Sequence, residues 1–211
     1  MAGNLLAVWR LRDGRRLALT GMLQFGGNFL YISAAPLFIV NLLGGCEQDF
    51  WVLFVPLISG LVAGSWVTGR LAGRVSGRRL ASAGYLISVS AAVVNLALSL
   101  VPATAGLPWA VAALPVLSFG IALAFPIVTL AMLDLYPDLR GAAASVQSFV
   151  AMVANALIAG FLAPLLAGAL WTLAAGALGF VLAAWAMWSR HLAMTSREPA
   201  TTPDAAAYEP T

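Results

Sequence analysis

The sequence predicts an all-α membrane protein of six transmembrane helices, with both termini on the cytoplasmic side. Three observations carry that reading. Of 211 residues, 62% are hydrophobic and only 9% charged, at a mean hydropathy of +0.93, whereas a soluble domain carries about a quarter charged side chains. The few charges crowd into short stretches, and the apolar intervals between them exceed the ~20 residues that cross a bilayer. All eleven basic residues are arginine, and they fall only in alternate breaks between the apolar segments.

The first apolar segment runs from about Leu17 to Leu43, after a cytoplasmic segment (1–16) that carries Arg10, Arg12, Arg15 and Arg16. Phe50–Thr68 is the second, reached through a break whose only charges are Glu47 and Asp49. Arg70, Arg74, Arg78 and Arg79 fill the turn to the third, Leu80–Val101. An uncharged break leads to the fourth, Leu107–Leu133, and Arg140 precedes the fifth, Ala142–Leu166. The sixth, Gly168–Trp188, completes a transmembrane domain over 17–190, and Arg190 and Arg197 follow it. Every arginine therefore falls on one side, which the positive-inside rule makes cytoplasmic. Trp51, Trp109 and Trp171 open spans at the outer boundary, and Trp185 and Trp188 close the last at the inner one, as an interfacial aromatic belt would place them. The polar tail, 191–211, is rich in Pro, Thr and Ala and reads as disordered.

Composition excludes other classes. Arginines scattered at span ends do not form the continuous patch that nucleic acid requires. The single cysteine, Cys46, excludes an internal disulfide framework and multi-cysteine metal motifs. No paired nucleophile and base, metal constellation or phosphate-cradling loop is present, so neither an enzyme nor a cofactor is expected. The first seven residues lack the charged start and cleavage site of a removable signal peptide.

Two patterns bear on function. Proline interrupts the first span in Tyr31-Ile32-Ser33-Ala34-Ala35-Pro36 and the fourth in Phe125-Pro126. Paired interruptions at matching positions are the signature of a 3+3 inverted repeat, although prolines are also common in membrane helices generally. Secondly, Gln24, Asn28 and Tyr31 stand at i, i+4 and i+7 on one face of the first span. Polar groups aligned in lipid must face protein or water. Either they line a cavity for an amphipathic substrate, with Phe119 and Phe125 as its apolar wall, or they hydrogen-bond between helices.

The turn Gly69-Arg70-Leu71-Ala72-Gly73-Arg74-Val75-Ser76-Gly77-Arg78-Arg79 resembles a degenerate copy of the Gly-x-Leu-Ala-Asp-Arg-x-Gly-Arg-Arg loop of the major facilitator superfamily, with Gly73 in place of the aspartate. Tyr31–Pro36 and the stretch Leu133-Asp134-Leu135-Tyr136-Pro137-Asp138-Leu139-Arg140-Gly141-Ala142-Ala143-Ala144-Ser145 are similar to the C-terminal six helices of Bcr/CflA-type drug efflux transporters. The resemblance implies half of a major facilitator fold in a bacterial inner membrane. It also implies proton-coupled efflux of small amphipathic drugs by a twelve-helix assembly, completed by a second copy or by a missing N-terminal half. Arg70, Arg74, Asp134 and Arg140 are then candidate gating residues, with Asp134 paired to Arg140 or Arg74. No carboxylate lies near any midplane to carry a coupled proton. That leaves a second reading, a membrane bundle with no transport of its own, either an incomplete relic or a packing partner for another membrane protein.

Overall fold

Among the described residues, six helices are long and apolar enough to cross a membrane, and no strand occurs. The computed structural model describes residues 12–195; the expectations for Arg10, Arg197 and the tail beyond 195 fall outside them. The helices are α1 (Arg12–Pro36), α2 (Trp51–Leu71), α3 (Gly77–Leu100), α4 (Leu114–Asp134), α5 (Arg140–Leu157) and α6 (Leu170–Thr195).

Proline and glycine account for most of the breaks. Pro36 brings no N–H, and directly after it α1 widens into a π turn, Leu37–Leu42, capped by Leu43 and followed by Gly44 with φ +68°. A short 3-10 helix, Glu47–Phe50, leads into α2. Gly73, at φ +76°, turns the chain from α2 into α3. The helical turn Trp109–Ala112 precedes α4, and α5 continues through a π turn (Ile158–Leu162) into a final helical turn, Ala163–Leu166.

At both ends of the described chain, helix extends beyond the sequence reading. The helix of the first span is already formed at Arg12, ahead of Leu17, and Arg12, Arg15 and Arg16 are good helix formers that carry α1 past its apolar part. The sixth continues to Thr195, so His191–Thr195 is helix rather than tail.

Spans one and four are the most enclosed, with 56% and 50% of their apolar windows buried against 11% in span five. The main contacts are α3 with α4, α2 with α4, α1 with α6, α3 with α6, α1 with α5 and α1 with α4. Glycine permits the closest of these. A Cβ on Gly60 would fall on the backbone of Pro115, and one on Gly64 would lie 2.5 Å from the Phe119 carbonyl, so α2 and α4 touch backbone to backbone. Gly84 and Gly120 face each other in the same way where α3 crosses α4. The spacing of Gly60 and Gly64 thus serves packing inside the six-helix bundle.

The buried apolar side chains form two clusters. One, around Tyr31, Leu53, Leu114 and Leu173, lies towards the end that bears Asp49. The other, around Leu17, Tyr85, Met132 and Trp188, lies towards the end that bears the arginines. Trp188 departs from the belt expectation: it is 3% exposed and stacks on Tyr85 at 6.2 Å between ring centroids, because α6 packs against α3 there.

Candidate functional site

Between the two clusters lies a polar layer made by α1, α3 and α4, and the stripe on α1 belongs to it. Gln24, Asn28 and Tyr31 are each at most 1% exposed. Gln24 accepts a hydrogen bond from the Tyr85 hydroxyl at 3.0 Å and donates to the Ile121 carbonyl at 3.1 Å. Asn28 accepts from the Ser118 hydroxyl at 3.1 Å, while its Nδ2 is buried with no partner. The Tyr31 hydroxyl accepts from Asn95 Nδ2 at 2.6 Å. Of the two readings of the stripe, these bonds are interhelical ones. The sequence marks α1 as polar on one face, but it carries no sign that Tyr85, Asn95 and Ser118 meet that face.

The proline in α4 is handled from the neighbouring helix. Pro126 has no N–H to give to the Ala122 carbonyl four residues earlier, and the Thr68 hydroxyl of α2 shares its hydrogen between the Gly64 carbonyl of its own helix at 2.9 Å and that oxygen at 3.3 Å. A buried carbonyl that its own helix leaves open is satisfied across the interface, as lipid requires.

Phe119 and Phe125 do not join the stripe. Phe119 is half-buried on α4 with its carbonyl against Gly64. Phe125 is 36% exposed and meets Phe25 of α1 at 6.2 Å between centroids. Phe25 lies about 100° round α1 from Gln24, so the aromatic and polar parts of the candidate set occupy different faces. Gln147 of α5, bonded to Thr129 at 3.1 Å, borders the aromatic face next to Gly21.

The four gating candidates lie at the arginine-bearing end and are all exposed. Asp134 pairs with Arg140 at 3.4 Å, and both side chains are mostly exposed. Arg70 lies over the Trp66 ring at 4.6 Å. Arg74 stands in the glycine turn and makes no ion pair among the described residues, so Arg140 rather than Arg74 is the partner of Asp134. An exposed pair of this length contributes little. Asp134→Asn is therefore expected to leave the thermal midpoint in detergent unchanged within error; a clear drop would show that the carboxylate does more than pair with Arg140.

No family model, curated protein or solved structure matches this chain.

Proposed function

We propose that the chain is half of a twelve-span secondary transporter, of the kind its loops resemble, which exports small amphipathic compounds. The observation that carries this reading is the pattern of helix contacts. Exchange of span one with four, two with five and three with six turns the set of main contacts into itself: α3–α4 becomes α6–α1, α2–α4 becomes α5–α1, and α3–α6 and α1–α4 are unchanged. Consecutive spans run in opposite directions, so this exchange relates an inverted pair of three-helix units. The aromatic face around Phe25 and Phe125 supplies apolar contact of the kind such compounds need.

Proton coupling constrains the partner. Among the described residues no Asp, Glu, His, Lys or Arg lies mid-span; Asp134 sits at the end of α4, exposed and paired. A dimer of identical chains has no membrane carboxylate either, so a proton-coupled assembly requires a non-identical second half. Cytoplasmic termini and an inner-membrane location belong to the same proposal, supported by the arginines at one end.

Everted vesicles from the native membrane test it. Proton-driven uptake of ethidium is expected to fall when the chain is deleted and to return when it is restored. Equal uptake with and without the chain would leave the second reading, a bundle without transport, which the closed hydrogen bonds of Gln24 and Tyr31 favour.

A further inference from the structure

The end of the bundle opposite the arginines holds an apolar pocket of about 560 Å³ between the end of α1, the start of α2 and the lead-in to α4. We propose that it is a binding site for small amphipathic organic cations, with Asp49 as the counter-charge and Trp51 as the aromatic wall. The proposal concerns binding alone and does not rest on the transport reading.

Chemistry at the pocket selects the ligand. Ile39, Val52, Leu107 and Val111 supply apolar walls, and the volume falls within the roughly 300–1,000 Å³ of small-molecule sites. Asp49, a carboxylate at neutral pH, is the single charged residue in the lining. Its Oδ2 accepts from the Cys46 backbone N–H at 2.9 Å and from the Cys46 thiol at 3.1 Å, which fixes the group on the short helix before α2. Neither bond neutralises it. All the described arginines lie at the other end of the bundle, a full span away, so no basic side chain among the described residues offsets the charge. Trp51, 63% exposed, lines the same pocket. A negative charge and an aromatic face in an apolar hollow favour a cation with apolar substituents over a neutral or anionic ligand of the same shape.

The probe is tetraphenylphosphonium, measured by equilibrium dialysis on the purified chain in a non-ionic detergent. Triphenylphosphine oxide serves as the neutral comparison. Saturable binding of the cation is expected, with the neutral compound at least about tenfold weaker. Asp49→Asn should weaken the cation about tenfold and remove the preference, and Trp51→Leu should weaken it about two- to fivefold. Equal affinity for the two probes on the unmodified chain would overturn the proposal, whether or not the variants fold. So would unchanged cation affinity in a folded Asp49→Asn. Displacement of the cation by phosphatidylcholine at equal potency would assign the pocket to a lipid headgroup and overturn it as well.

Discussion

Gly120→Leu should separate α3 from α4 and lower the thermal midpoint in detergent by roughly 6–12 °C, the equivalent of about 3 kcal/mol in a chain of this size. At this crossing there is no room for a side chain of any kind. A Cβ on Gly120 would lie 2.5 Å from the Gly84 carbonyl and 2.7 Å from the Ser88 nitrogen, and these are backbone atoms that no rotamer change can move aside. The helices must part, and with them go the Ser88 hydrogen bond to the Leu117 carbonyl and the placement of Ser118 against Asn28. Gly179→Ala is the contrast. Nothing lies within 4 Å of a Cβ there, so alanine should be neutral or stabilising by about 0.5–1 kcal/mol, the ordinary helix preference. Equal losses in the two variants, followed by thermal unfolding, would remove the backbone contact as the cause.

The polar layer makes the second large prediction, because two neighbouring amides on one stripe should respond in opposite ways to leucine. Gln24→Leu leaves the Tyr85 hydroxyl and the Ile121 carbonyl without their partner in a buried layer. The expected loss is about 1–2 kcal/mol, the upper part of the range for interhelical bonds in membranes. Asn28→Leu removes an amide whose Nδ2 is already buried without a partner, so part of its desolvation cost disappears with it. Its stability should stay level or rise. Thermal midpoints of the two variants decide this, and a larger loss in Asn28→Leu than in Gln24→Leu would contradict it. The same variant also tests the cavity reading of the stripe. Reduced ethidium transport at unchanged membrane abundance would show that Asn28 faces the pathway in another state of the assembly.

How far the sequence could be read follows from what each feature depends on. Six spans were visible because lipid tolerates almost no charge along ~20 residues, and that rule acts on each segment separately. The stripe on α1 was visible for the same reason: Gln24, Asn28 and Tyr31 share a face of one helix. The identity of its partners was not, since Tyr85, Ser88 and Asn95 share a face of α3 but nothing in the order of residues says which helix that face meets. Trp188 shows the opposite error. A tryptophan at a span end has the composition of an interfacial anchor, yet α3 passes beside it and Tyr85 covers it. The Asp134 pairing was narrowed only to two arginines, because chain distance favours Arg140 while loop geometry leaves Arg74 open; the fold brings Arg140 to 3.4 Å.

Taken alone, the order of residues determined the number of spans, the end of the bundle that carries the arginines, and the absence of a mid-span carboxylate among the helices. These are local properties, set by the solvent each segment can enter. Tertiary structure alone decided that the stripe closes into a polar layer, that Thr68 serves the carbonyl freed by Pro126, and that Asp49 and Trp51 share one pocket. Each of those depends on two or three helices meeting at a particular crossing, and the crossings are set by where glycine allows backbones to touch, at Gly60, Gly64, Gly84 and Gly120. Hydropathy has no term for such contacts, because lipid and leucine are equally apolar and only close packing separates one arrangement of helices from another.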